Sequence, residues 1–552
     1  MARNEEIDVY GIPQIYKQRY FHPYTVRRKT TGNIGQIIPI YNNILVQPGD
    51  TISINLRSFF RLTTSLFPSM DNLTADIFCF SQDWQNNWDH TKEFWGEDNK
   101  SPFEEPTEYT IPQVVLKPTS AVETDDIMHH LALPPMEANK GAISSVERVN
   151  NIECERLSYN TYIDIYNHFF RDQNYIEPIE FSKGDEDIDY ENLPVKKLLT
   201  AARFHDYFAG TPEAQRGEPE FLPLGTEAPV IGNGLTLGFY NGSVYAGLSN
   251  GNNNDLNVYT GGYGQPAGQE QSGTFAGTGT WGLTDDPEKS GAIVDLTNTV
   301  GATLNALRLM TAIQHIKEEL MWYGGLFEDI IMSQWGVSMN ATSFRIPEYL
   351  GGKRININMD SVLQTSSSDA ESPQGNAAGY SVTFDEDFMF TKSFTTWQNI
   401  MIVCVIRQDH TYAQGIANQH LKKRKYDFYW DEFKGLGAQP RKVAEIALTG
   451  TDSDENTWNF APAFREYNSE VDRATGLMVP GIANTLANYT YTDQYNNIPN
   501  SGEEWINEVP TFVDRTLVVP SETTDQFMMD FVFEIKKTSI IPNYRLPGLD
   551  KL

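Results

Sequence analysis

The stretch Thr51-Ile52-Ser53-Ile54-Asn55-Leu56-Arg57 alternates polar and apolar side chains without a break. Successive side chains of a strand point to opposite faces. This period of two therefore predicts a strand with Ile52, Ile54 and Leu56 against a core and Ser53, Asn55 and Arg57 facing away. Pro48-Gly49-Asp50 supplies the turn that precedes it. Near the other end of the chain Phe527, Met529, Phe531, Phe533 and Ile535 alternate with Asp530, Glu534 and Lys536. The unbroken apolar run from Ile400 to Ile406 reads as a strand buried on both faces. A sheet has to bury its apolar face against something. Early and late strands therefore predict one β-sandwich closed by long-range pairing, with the intervening chain as excursions from it.

Two excursions read as helices. Val300, Leu304, Leu307, Met310, Ile313, Ile316 and Leu320 recur at spacings of three and four, which makes one apolar stripe, with Asp295 or Thr297 available as a cap. The stripe is expected to be core packing. Leu157, Tyr162, Ile165, Tyr166 and Phe169 suggest a second helix that ends near Asp172-Gln173-Asn174. Both are expected to cover a sheet.

Length alone would allow three average domains in 552 residues, but a β-sandwich with long insertions is equally allowed. The 29 Pro and 41 Gly demand frequent turns and irregular connections, which favours β architecture. A formal charge of −31 argues against a free-standing polyanion binder, which needs a basic surface to displace counterions from phosphates, so any nucleic-acid contact has to be local. Cys79, Cys154 and Cys404 lie far apart and signal neither a zinc site nor a disulfide framework. The N-terminus lacks an apolar signal core and Ile400 to Ile406 is too short to cross a bilayer, so the chain reads as a soluble product of the cytosol with no membrane insertion.

Residues 231–291 stand apart. They are rich in Gly, Asn, Thr and Ser, hold no Arg and only Lys289 near their end, and carry Tyr240, Tyr245, Tyr259, Tyr263, Phe275 and Trp281. A plain linker has no use for such rings. The composition suits an ordered surface loop for adaptable recognition, against the blander reading of a flexible insertion.

Several motif matches fail on their context. Gly247-Leu248-Ser249-Asn250-Gly251 fits a nucleophile elbow, but Asn252-Asn253-Asn254-Asp255 follows where the elbow needs a helix. Gly277, Gly279 and Gly282 fit a dinucleotide fingerprint, yet Leu283-Thr284-Asp285-Asp286-Pro287 offers no helix N-terminus for a pyrophosphate. Asp185, Asp187 and Asp189 begin like a calcium loop, but Tyr190 and Lys196 occupy the places of the required glycine and glutamate. That leaves a looser calcium site or a solvated acidic loop. His129-His130 are neighbours expected to point in different directions, and no metal set follows. Glu318-Glu319 and Glu503-Glu504 are adjacent in sequence, whereas acid–base catalysis needs carboxyls that face one bond from separate elements. The sequence thus proposes no catalytic residue, no cofactor and no metal.

Cations cluster in two places. Arg27, Arg28 and Lys29 close a basic stretch interleaved with Tyr16, Tyr20, Phe21 and Tyr24, and Lys422-Lys423-Arg424-Lys425 is the densest basic run. Cations with aromatics can neutralise phosphates and stack bases. A solvated face or an inter-subunit ion-pair patch is the competing reading.

A colinear run of short words carries a family resemblance. It starts with Val46-Gln47-Pro48-Gly49-Asp50-Thr51, Pro68-Ser69-Met70-Asp71-Asn72-Leu73, Asn87-Trp88 and Phe94-Trp95-Gly96-Glu97. It continues through Phe170-Arg171-Asp172-Gln173-Asn174, His205-Asp206-Tyr207-Phe208, Gln215-Arg216-Gly217 and Pro347-Glu348-Tyr349-Leu350-Gly351-Gly352. Gln374-Gly375-Asn376, Asp427-Phe428-Tyr429-Trp430 and Pro547-Gly548-Leu549 extend it almost to the last residue. Together these resemble the major capsid proteins of the microvirus family, especially its gokushovirus-like branch. Met321-Trp322-Tyr323-Gly324-Gly325-Leu326 and Phe394-Thr395-Thr396-Trp397 depart from the family's usual stretches and mark a divergent member.

The resemblance implies a viral eight-stranded antiparallel jelly roll with long inter-strand insertions, built from residues 1–230 and 292–552 around a protruding insertion at 231–291. It implies a homo-oligomeric icosahedral shell around circular single-stranded DNA, made in the bacterial cytoplasm and carried in the virion. Other phage structural, scaffolding and pilot proteins would be its partners, and a host receptor would meet the insertion. Two other readings compete: a glycan-binding β-sandwich of the adhesin or lectin kind, motivated by the aromatic loop, and a β-sandwich glycosidase, motivated only by abundant carboxylates.

Overall fold

A computed structural model describes residues 17–97, 105, 107–220, 230–232, 238–240, 245–250, 256–260, 282–283, 292–294, 304–337, 346–363 and 377–544. The quoted stretch lies in a longer strand, Thr51–Leu62, whose even positions from Ile52 to Leu62 are all buried. Gly49 has φ of +90°, a backbone state that side chains other than glycine rarely adopt, and so the turn before the strand needs that residue.

Eight strands make the frame: β1 (Tyr20–Gly32), β2 (Ile38–Val46), β3 (Thr51–Leu62), β4 (Leu73–Asp83), β5 (Glu348–Ile357), β6 (Thr383–Ser393), β7 (Gln398–Gln408) and β8 (Phe527–Ser539). They form two antiparallel four-stranded sheets, with orders β1-β8-β3-β6 and β5-β4-β7-β2. β8 pairs with β3 from Phe527 opposite Leu62 to Thr538 opposite Thr51, which is the long-range closure expected from the two ends of the chain. Every residue of β7 is buried, because the strand is central in its sheet and covered on both faces. Ile54 and Leu56 of β3, Phe531 and Phe533 of β8, Ile77 of β4 and Ile402 of β7 share one apolar core, and Tyr41 of β2 meets Phe533 of β8 with ring centroids 5.1 Å apart. The described chain is thus mainly β, with two sheets closing on one core.

Helix α1 (Leu157–Ile165) covers the second sheet and is buried at all nine positions. Its polar side chains are hydrogen-bonded inside: Tyr162 donates to the Ile37 carbonyl at 2.9 Å, and Thr161 Oγ1 accepts from Asn87 at 2.8 Å and Asn399 at 3.0 Å. It widens into a π-turn, Tyr166–Phe170, and stops before Asp172, near the expected end.

Helix α2 (Leu304–Tyr323) follows the second apolar pattern, and here the expectation of core packing is wrong. Leu304 is 69% exposed, Leu307 47% and Ile316 46%, and Met321 is the buried residue of this helix. Periodicity records that a face can be buried; it does not supply the element that buries it. Val300, Asp295 and Thr297 lie outside the described residues.

The chain divides into two compact units, one of Met1–Ala214 with Leu320–Leu552 and one of Gln215–Glu319. The first holds both sheets. In the second, Gly238–Tyr240, Tyr245–Asn250, Leu256–Thr260 and Gly282–Leu283 form one small sheet, and Val230–Gly232 pairs with Ala292–Val294.

Cys79 and Cys404 are buried in β4 and β7, where burial pushes both thiols up, and Cys154 is pushed up to about 11 for the same reason. Ser249 sits within a strand, Gly282 in another, and Gly251, Gly277 and Gly279 lie outside the described residues. His129 and His130 do not simply diverge: their rings meet edge to face with centroids 5.4 Å apart. Asp185, Asp187 and Asp189 each serve a different contact, accepting respectively from the Trp88 indole, the Gln113 amide and Lys117.

Candidate assembly and nucleic-acid surfaces

The two basic clusters lie on different elements. Arg27, Arg28 and Lys29 are exposed on β1, the edge strand of the first sheet, opposite Val532, Phe531 and Asp530 of β8. Lys29 stands 3.8 Å from Asp530 in an exposed pair, which salt and solvent screen. Cations along an edge strand also repel unwanted strand pairing, so this cluster has a structural use of its own.

The run at 422–425 is not uniform. The Lys422 side chain is 5% exposed; its ammonium is 2.5 Å from Glu466, donates to the Asp427 carbonyl, and lies over the rings of Phe428, Phe464 and Tyr467 at 5.1–5.5 Å. It holds a loop together. Lys423, Arg424 and Lys425 are exposed, and Lys425 lies 4.6 Å over the Tyr426 ring. Tyr426, Phe428, Tyr429 and Trp430 beside them are each 45–62% exposed, so cations and ring faces share one surface.

Of the insertion residues, Tyr240, Tyr245 and Tyr259 lie in short strands of the second unit. Tyr263, Phe275 and Trp281 lie outside the described residues.

A cleft of about 350 Å³, which no local pattern in the sequence foretold, is lined by Phe169–Asn174, Ala202–His205, Trp322–Gly324 and Arg407. The π-turn that ends α1 delivers its first wall: Phe169 packs on Phe80 at 4.7 Å and Phe170 on Phe78 at 5.3 Å. Asp172 caps the next turn through the Asn174 amide and receives His205 Nε2 at 3.2 Å; this hydrogen bond outweighs burial and raises the imidazole above its ordinary value. Phe204 meets two guanidiniums, Arg354 at 4.4 Å and Arg407 at 4.7 Å. Both reach Asp76, at 2.7 and 3.4 Å, so one carboxylate faces two cations. Behind this wall a buried ionic cluster joins distant excursions. Arg203 is 3.4 Å from Asp493, and His410 lies between Asp493 at 2.8 Å and Glu508 at 3.2 Å. Two of the sequence words that carry the resemblance, at 170–174 and 205–208, meet the divergent stretch 321–326 at the cleft. That could be seen only once the fold had brought them together.

Among the described residues no group of three or more His, Cys, Asp and Glu side chains converges to hold a metal, and no helix is long and apolar enough to cross a membrane. A family model described as "Capsid protein (F protein)" matches residues 12–549. Capsid protein VP1 of Bdellovibrio phage phiMH2K is 29% identical, with 99% of this chain and 98% of that protein covered. Capsid protein VP1 of Spiroplasma virus 4 is 28% identical over 94% of this chain and 93% of its own, and that of Chlamydia phage 1 is 25% identical over 98% and 99%.

Proposed function

Because this chain belongs to the capsid protein family of the phage F protein, we propose that it forms a small icosahedral shell around a circular single-stranded DNA genome. The family is structural, and its members build the multimeric shell of the virion. The observation that carries the reading is the match over residues 12–549, which leaves no large part of the chain for another task. Repetition by symmetry lets weak contacts between copies add into a stable closed shell.

The eight strands close as a viral jelly roll, which the sheet orders β1-β8-β3-β6 and β5-β4-β7-β2 support: after β1 to β4, each later strand inserts between or beside earlier ones. The segment 231–291 is the outward insertion that meets the host, supported by its aromatic, cation-poor composition. Arg27, Arg28, Lys29, Lys423, Arg424 and Lys425 contact the genome, supported by their exposure in a chain of net charge −31. Lys422 serves instead to hold its loop.

Nuclease digestion of the nucleic acid from purified particles tests the reading. A nuclease specific for single strands should destroy the genome while an exonuclease leaves it intact; a duplex or linear genome contradicts the proposal. Neutralising Lys423, Arg424 and Lys425 together should lower DNA per particle more than particle yield. Deleting residues 235–288 should leave shells able to form and impair attachment to cells.

A further inference from the structure

We infer that the cleft lined by Phe169–Asn174, Ala202–His205 and Trp322–Gly324 holds one nucleotide unit of single-stranded DNA, with the base on its aromatic wall and the phosphate on its cationic wall. This rests on the reading of the chain as a shell around such a strand, and it adds a site separate from the exposed basic clusters.

Four observations lead there. The volume, about 350 Å³, is at the small end of ligand sites and admits one base with its phosphate but not a base pair. The walls present ring faces that the fold does not use up: Phe169 is 42% exposed and Tyr323 61%, beside half-buried Trp322. The charge has the sign a phosphate requires. Arg171, Arg203, Arg407 and His205 line the cleft against one lining carboxylate, Asp172, with Asp76 and Asp493 paired to Arg407 and Arg203, in a molecule otherwise strongly acidic. The lining also keeps unused hydrogen-bonding capacity. Arg407 Nε and Arg203 Nε are buried donors without a partner, and Asn174 Oδ1 is a buried acceptor without one. Buried polar groups are normally satisfied, so these open atoms are exceptions in the residues that line the cleft.

Cations beside ring faces are the chemistry by which proteins hold single strands, since every base offers a π-face and every unit a phosphate. A neutral sugar would leave the excess positive charge unanswered. An acidic peptide would answer the charge and leave the rings idle.

Photocrosslinking of the purified full-length chain to a single-stranded oligothymidylate carrying 5-iododeoxyuridine tests the site, with adducts mapped by peptide mass spectrometry. Adducts should fall on the peptides that carry Phe204 or Trp322 and Tyr323, and thymidine 5′-monophosphate should compete at far lower concentration than inorganic phosphate. Trp322→Ala and His205→Ala should each lower the yield at these peptides about tenfold, the size expected for losing one stacking face or one phosphate contact. Trp322→Phe keeps a ring and should retain most of the yield, which separates a lost stacking face from a damaged fold. Adducts confined to other surfaces, or a yield unchanged in both alanine variants, would overturn the inference. Particles holding nuclease-protected single-stranded DNA together with a cleft that never crosslinks would sink the cleft alone. Particles without such DNA would sink the reading it rests on.

Discussion

The two longer helices invert what their sequences promise. α2 has the cleaner amphipathic stripe, yet Leu304, Leu307 and Leu309 face solvent, whereas α1 carries Ser158, Asn160, Thr161 and Asp164 and is buried at every position. The difference lies in what surrounds them. α1 is laid across β2, β4 and β7, where each polar group finds a partner: Asn42 for Ser158, the Asn87 and Ser182 carbonyls for Asn160, Gln82 for Asp164. Burying a polar group costs little once it is bonded, so composition alone does not decide which helix goes inside.

The contrast between the helices is greatest at Ile163, fully buried in α1. Ile163→Ala should destabilise the unassembled subunit by about 2–5 kcal/mol in a denaturant titration, from lost burial plus the cavity left behind. A loss below about 1 kcal/mol would mean that α1 is not core.

The buried ionic cluster extends the contrast to pH. Burial and the Arg203 guanidinium push His410 down, but Asp493 and Glu508 outweigh them and hold it at about 9, above its ordinary 6.5. A raised value means that the stabilisation is complete below pH 6.5 and is lost as pH rises toward 9, a change of roughly 3 kcal/mol. The denaturation midpoint should therefore fall between pH 6.5 and 9, and His410→Gln should flatten that slope. A wild-type midpoint constant over this range would show that the cluster is not ionised as drawn.

A smaller effect is expected at Asn160, whose amide donates at 3.0 and 3.1 Å to two carbonyls. Asn160→Ala leaves both acceptors unpaired and should cost about 1–3 kcal/mol. The smallest belongs to α2: Leu307→Ala, at a half-exposed site, should change subunit stability by no more than about 0.5 kcal/mol. If Leu307→Ala proved as costly as Ile163→Ala, the contrast between the helices would be void.

Legibility in the sequence followed the same logic. β3, β7 and β8 announced themselves because central strands with one or two dry faces print a period of two or an unbroken apolar run. β1 did not, because an edge strand exposed along most of its length carries Arg27, Arg28 and Lys29 where alternation would otherwise show. Lys422 looked like its neighbours until the fold placed Glu466 and three rings around it. The cleft was illegible for a related reason. Its lining comes from segments near residues 170, 204, 322 and 407, and no local pattern reports a convergence that only the closed sandwich creates.

Electron microscopy of the expressed full-length chain, alone and co-expressed with a candidate scaffolding protein, tests the central claim most directly. Uniform small icosahedral particles are the expected result; a chain that stays monomeric under both conditions would contradict it.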